Sequence, residues 1–407
     1  MDLRDGGTEP ELTRDEAVAR LGVKPATLYA YVSRGLIRRR RGRDGRSRFS
    51  LADIEHLRQR GRAAVSPTSM AVRSVLTSVE PSTIRFRGRD VLEMVHTGSF
   101  EQAALWLWTG QHLTPEVPWE SDHAALATGH AVQAALPVAT LPMDRFRVTV
   151  PAIAPTDPLR YDTSQEAVEM SGRRLIAALV DSLPLVGEES TDHRSIAARL
   201  WPRLTATPNS LPLLQLLDSA LILLIDHELS LSTLSARLTA SLFADPYSVV
   251  SVGLSALGGP FHAVASLPAE DLLAEVSLPQ RAAWTIGERL RRGDRLPGFG
   301  HRSHRAGDPR ARVLLEQLRE ASGDAPGMQV VEEILRTTAG RGLPQPNVDF
   351  ALAAFARTTG MVRGSSEAIF ALARVAGWIG HALEVYTGGA ESSPSFLYLE
   401  TRTGPER

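Results

Sequence analysis

The pattern that most limits the fold of this chain is helical. From about residue 69 onward, apolar residues recur at three- and four-residue spacing, which is the period of one buried face of an α-helix. Phe100–Trp108, Leu213–Leu224, Leu231–Phe243 and Ala368–Val385 all follow it, and glycines and prolines punctuate the segments between them. Strand patterns are scarce and no internal repeat is evident. The sequence therefore predicts a mainly α second domain.

Composition places the chain among soluble globular proteins. Hydrophobic residues make up 43% and charged residues 22%, which allows a sizeable core. A length of 407 residues predicts two or three domains. The net charge of −1 argues against binding of polyanions along the whole surface. The sequence has no cysteine, which excludes disulfides, thiolate metal sites and a cysteine nucleophile and fits a cytoplasmic location.

No segment is predicted to enter a membrane. The first residues contain no apolar core of the kind that a signal peptide needs. The most apolar stretch, Leu211–Ile225, is interrupted by Pro212, Gln215 and Asp218 and is too short to span a bilayer. We expect a buried helix there and no membrane partner.

Residues 10–62 have the pattern of a small separate domain. Thr13 and Glu16 are spaced as a capping box at the start of a helix, which then ends at Gly22. A second helix begins near Pro25, a favoured first-turn proline, and ends near Gly35. Two helices joined by a short glycine-containing turn predict a helix-turn-helix.

A hairpin is predicted to follow these helices. Leu36–Arg41 and Arg46–Phe49 flank Gly42–Gly45, which has the composition of a tight turn. Ser50 is then placed to cap a further helix, Leu51–Arg62. The short proline-containing stretch 63–68 is predicted to be a linker to the second domain.

Eight arginines crowd the end of the second helix and the hairpin, and Asp44 alone is expected to oppose them. The unit resembles the winged-helix domains of MerR-type regulators and excisionases in Leu12–Leu21, Val23–Gly35 and the run that ends at Ile54. Such a cluster neutralises phosphates, so we predict contact with double-stranded DNA. The alternative is a solvated arginine face that serves solubility or docking. The arginines are Arg34, Arg38, Arg39, Arg40, Arg41, Arg43, Arg46 and Arg48.

Three segments far apart in the chain each place one ionisable residue in a glycine- or proline-rich turn. They are Gly258–His262, Pro297–His301 and Pro346–Phe350, the last of which contains Asp349. Taken singly, such a histidine is usually a turn residue and such an aspartate a helix cap. Together, two imidazoles and a carboxylate are the minimum set that removes a proton beside a carbonyl and adds the carbanion to a second carbonyl. We interpret them as a site for carbon–carbon bond formation from an acyl thioester.

Six segments in order make residues 69–400 similar to citrate synthases, including methylcitrate synthases. The resemblance implies a mainly α fold, with a large domain of residues 69–265 and 355–407 and a small domain of residues 266–354. It implies a homodimer, acyl-CoA and oxaloacetate as partners, acetyl-CoA as cosubstrate, no permanently bound cofactor and no metal. The six segments are Asp226–Leu229, Ala244–Ser248, Leu257–His262, Pro297–His301 with Asp308–Arg310, Pro346–Phe350 and Ala373–Trp378.

The resemblance implies three catalytic roles. Asp349 is the base that takes the α-proton of the thioester. His262, as a neutral imidazole, donates a hydrogen bond to the developing enolate oxygen, and His301 donates to the carbonyl oxygen of the 2-oxo acid. Because a thioester α-proton is only weakly acidic, the base can work only if the donor acts at the same time.

The resemblance also implies cationic partners for the substrates. His227, Arg310 and Arg374 fall where the family binds the carboxylates of the 2-oxo acid, a task that suits the planar fork of arginine. Arg302 and Arg305 are expected to meet CoA phosphates, with a mobile basic loop as the alternative for Arg302.

Three segments depart from the family pattern, and one of them, Val72–Phe86, is a poor, shortened match. Ser393 stands where an arginine normally reaches into the partner subunit's site, and His262–Ser266 replaces a glycine-rich run. Losing one charge-assisted contact would weaken binding roughly tenfold to a hundredfold. The departures leave three readings: an active synthase with altered substrate preference, a DNA-binding regulator whose synthase-like domain senses metabolites without turnover, or a docking protein that keeps only the scaffold. The retained histidines and Asp349 favour the first.

Overall fold

The structure is a computed structural model, and it divides into two compact units, Met1–Ala71 and Val72–Arg407. It describes residues 11–21, 23, 25–33, 36–42, 45, 47–51, 53–54, 72, 74–80, 82–112, 118–189, 195–259 and 266–388. The predicted linker 63–68 lies outside these residues. The predicted division of the second unit into large and small domains stays a prediction.

The described residues of the first unit include two helices with defined bounds and a three-stranded antiparallel sheet. Its elements are β1 (Glu11–Thr13), α1 (Arg14–Leu21), α2 (Pro25–Ser33), β2 (Arg39–Arg41) and β3 (Ser47–Ser50), and the strand order is β1-β3-β2. The capping box is present, because the Thr13 N–H donates to the Glu16 carboxylate and the Glu16 N–H to Thr13 Oγ1. The predicted hairpin is β2 with β3, in which Arg40 lies opposite Arg48.

Strand β1 is an unexpected element. Its three residues are too few to show an alternating pattern, and pairing with β3 defines the strand, with Leu12 opposite Phe49. A small core holds the unit together, formed by Ala17, Leu28, Ile37, Phe49 and Ile54. The Ser50 hydroxyl accepts a hydrogen bond from the Asp53 N–H, as expected for a cap, while the rest of the predicted helix lies outside the described residues.

The described part of the second unit is almost wholly helical. Its strands form a small antiparallel sheet in the order β4-β5-β6: β4 (Thr77–Val79), β5 (Ile84–Phe86) and β6 (Arg89–Asp90). Short 3-10 turns lie at Ala154–Thr156 and Pro279–Arg281. The helices are α3 (Val91–Thr97), α4 (Phe100–Thr109), α5 (His123–Ala135), α6 (Pro142–Ile153), α7 (Gln165–Asp181), α8 (Ile196–Leu204), α9 (Leu211–Leu224), α10 (Leu231–Ala240), α11 (Pro246–Leu257), α12 (Ser266–Val276), α13 (Ala282–Arg291), α14 (Pro309–Ser322), α15 (Pro326–Gly340), α16 (Val348–Thr358) and α17 (Ser365–Gly388).

Helix α17 is the central helix of this unit. It packs against α7, α9, α10 and α11, and Trp378 on it is fully buried. Among the described residues it is the one helix long and apolar enough to cross a membrane, yet 89% of its apolar window is buried inside the protein. It is therefore a core helix, longer at both ends than the predicted Ala368–Val385.

One helix is shorter than its sequence pattern. The predicted helix Leu231–Phe243 ends at Ala240, and Phe243 has a positive φ of 54° and an exposed side chain. Apolar residues continue at three- and four-residue spacing past Ala240, but Leu242 is exposed as well. The apolar pattern there therefore does not mark a buried face.

Candidate active site

Two turns that are distant in sequence lie side by side and carry two of the predicted catalytic residues. The Gly300 N–H donates to the Gln345 carbonyl at 2.8 Å, and the Asn347 N–H donates to the Gly298 carbonyl at 2.9 Å. The turn before His301 is thereby paired with the turn before Asp349. These backbone hydrogen bonds hold the chain just before each of the two residues.

Gly298 is required for this approach of the two turns. Its φ is +79°, a left-handed conformation that favours glycine, and a Cβ there would lie 2.7 Å from the Phe350 Cβ. Asn347 then caps α16, because its side-chain oxygen accepts from the N–H groups of Asp349 and Phe350. Asp349 consequently lies in the first turn of a helix, where the helix dipole favours a carboxylate.

The Asp349 carboxylate is desolvated and held by a serine. Burial raises its pKa above the ordinary aspartate range, and the Ser266 hydroxyl, which donates to Oδ1 at 2.5 Å, acts in the opposite direction. Ser266 is buried at the start of α12 and ends the segment that departs from the family pattern. A carboxylate with few hydrogen-bond partners is a stronger base than one in water, which suits proton abstraction from carbon.

Three histidines form a group that we call the imidazole cluster, made of His227, His301 and His304. The His227 ring centroid lies 5.3 Å from that of His301 and 5.2 Å from that of His304, and the last two are 4.8 Å apart. His227 and His301 were predicted site residues. His304 was not predicted, because its sequence context shows no signal apart from the spacing of three residues from His301.

His301 is arranged to donate from Nε2. Its Nδ1 lies 3.1 Å from the Ser303 N–H nitrogen and 3.2 Å from that of His304, so Nδ1 accepts and the neutral ring carries its proton on Nε2. Burial lowers its pKa, and the positive charge of Arg310 lowers it further. The ring is therefore a neutral donor with a fixed tautomer, the form that can donate to a carbonyl oxygen.

His227 is buried, and Arg374 holds the backbone beside it. Burial and the charges of Arg310 and Arg374 keep the pKa of His227 far below its ordinary value. Arg374 donates to Asp226 Oδ1 at 2.7 Å and to the His227 carbonyl at 3.1 Å. Gly377 allows α17 to come this close, since a Cβ there would lie 2.0 Å from the Ile225 carbonyl oxygen.

Arg310 and Asp308 form a buried ion pair that also reaches α16. Arg310 donates from Nε and Nη2 to the two Asp308 oxygens at 3.0 and 2.9 Å. The Val348 N–H donates to the same carboxylate at 3.1 Å. Burial opposes ionisation of Asp308, but Arg310 outweighs it and the pKa falls to about 2. The pair ties the turn after His301 to the start of the helix that carries Asp349.

The remaining predicted residues fall in two groups. Arg302 and Arg305 are both exposed beside the imidazole cluster, where they remain candidates for contact with phosphates. His262 and Ser393 lie outside the described residues. The two elements that would complete the predicted site are thus not described, while Asp349, the imidazole cluster, Arg310 and Arg374 are.

The arginine cluster of the first unit differs in one respect from the prediction. Arg38 is bound by Asp53, with Nε 2.9 Å from Oδ2 and Nη2 3.0 Å from Oδ1. The expectation that Asp44 alone opposes the cluster is therefore wrong. Arg39, Arg40 and Arg41 are exposed along β2, and Arg48 is half-buried on β3. Arg34, Arg43 and Arg46, like Asp44, lie outside the described residues.

Two family models match the chain. Residues 68–391 match the model for the citrate synthase C-terminal domain, and residues 11–62 match a helix-turn-helix domain. The first match covers well over half of the 407 residues. The chain belongs to the citrate synthase family.

Relatives of this citrate synthase-family chain match it along most of their length. Citrate synthase 2 of Bacillus subtilis is 28% identical over 364 residues, which cover 83% of this chain and 95% of that protein. The 2-methylcitrate synthase 1 of Corynebacterium glutamicum is 28% identical over 341 residues, 78% of this chain and 90% of that protein. The chain is a citrate synthase-like condensing enzyme of the transferase class.

Solved structures show the same fold. Citrate synthase from Thermotoga maritima has a TM-score of 0.65 at 22% identity and covers 85% of this chain and 98% of its own. The citrate synthase of Thermoplasma acidophilum, in a ternary complex with carboxymethyl coenzyme A and oxaloacetate, has a TM-score of 0.67 at 20% identity and covers the same shares. The prediction of a mainly α citrate synthase fold after an N-terminal helix-turn-helix is confirmed.

Proposed function

We propose that the second unit condenses a short acyl-CoA, with acetyl-CoA as the reference donor, with oxaloacetate. The observation that carries this proposal is the pairing of the His301 and Asp349 turns, which brings a desolvated base and a fixed imidazole donor together. A pure metabolite sensor needs groups that bind its ligand but has no use for a base. The geometry therefore favours turnover over the alternative of a regulator with a non-catalytic synthase-like domain.

In the proposed reaction, Asp349 removes a proton from the carbon beside the thioester carbonyl. His262 would donate to the enolate oxygen, as the family resemblance implies. The enol carbon then forms a bond to the oxo carbon of oxaloacetate, whose carbonyl oxygen takes a proton from His301 Nε2. His301 regains a proton from water, and Asp349 returns the proton it took to water, so both groups end the cycle as they began it. Water cleaves the carbon–sulfur bond of the resulting thioester, which releases CoA as a thiol. No permanently bound cofactor enters these steps.

The carboxylates of oxaloacetate would meet the cations behind the imidazole cluster. Arg310 uses Nε and Nη2 for Asp308, and no described residue accepts from its Nη1, which a ligand could use. The Arg374 Nε is buried and has no partner among the described residues. Because both guanidiniums are held by carboxylates, their positions are set before a ligand arrives, and little ordering remains to be done on binding.

The experiment is CoA thiol release from acetyl-CoA and propionyl-CoA, each with and without oxaloacetate. We expect oxaloacetate-dependent release that is lost in Asp349→Asn, whose side chain has nearly the same shape but cannot act as a base. The acyl-CoA that gives the faster release is the preferred substrate. Equal release by folded wild type and Asp349→Asn would remove Asp349 from the mechanism. No release by the wild type with either donor would favour the sensor.

We propose a second function for the first unit, namely binding of double-stranded DNA. The observation that favours it is the exposed run Arg39–Arg41 on the hairpin of a helix-turn-helix unit. A homodimer, expected from the family, would present two such units to two half-sites. Unchanged mobility of short duplexes at low salt would contradict this function and leave the proposed condensation untouched.

The predicted large domain, residues 69–265 and 355–407, and small domain, residues 266–354, belong to the same proposal. His301 and Asp349 would both lie in the small domain, and closure onto the large domain would exclude water from the enolate. Because Arg374 lies in the predicted large domain and Arg310 in the small one, oxaloacetate would be held from both sides.

A further inference from the structure

His304 is a buried site residue without a role in the proposed reaction. Its residue is only 2% exposed, and its ring lies within the imidazole cluster. Its Nε2 is 2.9 Å from the Nε2 of His227, a hydrogen-bond distance between two ring nitrogens. A histidine used only to fill space would not need to direct a ring nitrogen at a substrate-binding imidazole.

The contact constrains where the protons are. A hydrogen bond between the two rings requires one Nε2 to carry the proton and the other to accept. Burial and the neighbouring guanidiniums of Arg310 and Arg374 keep His227 neutral, so it has a single N–H to offer. No described residue is bonded to His227 Nδ1. If His227 donates to His304, it has no proton left for a ligand.

The opposite arrangement makes His227 a useful ligand group. When His304 donates from Nε2, His227 accepts on Nε2 and carries its proton on Nδ1. Nδ1–H can then donate to a carboxylate oxygen, which accepts hydrogen bonds and cannot donate them when ionised. Binding of an anionic substrate therefore selects this arrangement.

We propose that His304 is a positioning residue that donates Nε2–H to His227 and so holds His227 as the Nδ1–H donor for a carboxylate of the 2-oxo acid. The inference rests on the proposed binding of oxaloacetate beside His227. His304 would thus affect substrate binding without touching the substrate, because it orients His227. The inference also assigns a tautomer to His227 that is the reverse of the one fixed in His301.

The test compares His304→Phe with His304→Gln. Phenylalanine keeps the ring shape and removes the donor, whereas the glutamine amide N–H reaches about as far as Nε2 and can still donate. Loss of one hydrogen bond predicts a rise of about tenfold in KM for oxaloacetate in His304→Phe, with a much smaller change in kcat. We expect His304→Gln to stay within about threefold of the wild type. His123→Phe, at an exposed histidine, is the control for handling of the protein.

Two further measurements test the inference without relying on turnover. Ring-nitrogen NMR reports the tautomer of His227 directly, and we expect Nδ1–H in the wild type with oxaloacetate and a mixture in His304→Phe. Calorimetry gives the oxaloacetate Kd without turnover, so weaker binding by His304→Phe would support the inference even if the wild type released no CoA. Equal KM and Kd in both variants and the wild type, or Nε2–H on His227 in the complex, would overturn it.

Discussion

Arginine serves the two units of this protein in opposite ways. In the first unit, Arg39–Arg41 lie exposed on β2. In the second, Arg310 and Arg374 are 3% and 2% exposed, and each is held by an aspartate. Exposed guanidiniums act through a field that salt screens, whereas buried ones act through fixed hydrogen bonds that salt hardly reaches. The same residue type is thus suited to a long polyanion in one unit and to a small diacid in the other.

The largest expected effect comes from removing one of the buried arginines. Arg374→Leu leaves Asp226 without its guanidinium partner in a buried site, so the free energy of unfolding should fall by about 3–5 kcal/mol. Urea unfolding of the two proteins measures it. The matched control is Arg336→Leu, since Arg336 pairs with Glu333 on the surface and its loss should leave the unfolding midpoint unchanged. A similar fall in both variants would contradict the distinction between buried and exposed pairs.

The half-buried carboxylate of Asp218 provides the next effect. Burial, with the charge of Glu101 close by, raises the pKa of Asp218 to about 7. A raised carboxylate pKa stabilises the fold below the unfolded value near 4, and this stability is lost as the pH rises through the folded value.

Asp218→Asn should remove that pH dependence. Between pH 5 and pH 8, the wild type should lose about 2–3 kcal/mol of stability that the variant does not lose. Denaturant unfolding at the two pH values measures the difference, and Asp324→Asn at an exposed site is the control. An identical pH dependence in wild type and Asp218→Asn would show that Asp218 ionises as an ordinary carboxylate.

The exposed half of the comparison predicts a salt effect. Arg39→Gln, Arg40→Gln and Arg41→Gln together should reduce the slope of log affinity for duplex DNA against log salt by up to about 3, since each phosphate contact contributes about 0.9. Mobility shifts at several salt concentrations measure the slope. Arg291→Gln with Arg336→Gln, two exposed arginines of the second unit, should not change it. An unchanged slope in the triple variant would place the DNA contacts elsewhere.

The smallest effect concerns the hydrogen bond on Asp349. Ser266 lowers the pKa of this carboxylate against the larger upward effect of burial. Because the base must be ionised, activity should fall as the pH drops through its pKa. Ser266→Ala should move this acidic limb to higher pH by less than about one unit, the equivalent of one hydrogen bond. A shift to lower pH in the kcat profile would contradict the assignment.

Local secondary structure was predicted from the sequence more successfully than contacts between residues that are distant in sequence. The capping box at Thr13 and the hairpin of β2 and β3 depend on nearby residues, and both are present. Strand β1 was missed because it is defined only by its distant partner. The same holds in the site, where Ser266 meets Asp349 from 83 residues away and His304 meets His227 from 77. Local periodicity carries no information about such pairs.

The departures from the family pattern show the same limit. His262–Ser266 replaces a glycine-rich run of the family, and the structure shows that Ser266, its last residue, donates a hydrogen bond to the base. Asp308 was part of a recognised motif, yet its link to the Val348 N–H required the fold. The roles of His262 and Ser393 stay predictions.

The central claim is that the second unit makes a carbon–carbon bond, and release of CoA alone does not separate this from thioester hydrolysis. The most direct measurement is mass spectrometry of the products formed from oxaloacetate and acetyl-CoA labelled with carbon-13 in the acetyl group. We predict a tricarboxylic acid that contains both labelled carbons, formed by the wild type and absent with Asp349→Asn. Labelled acetate as the sole labelled product would contradict the claim.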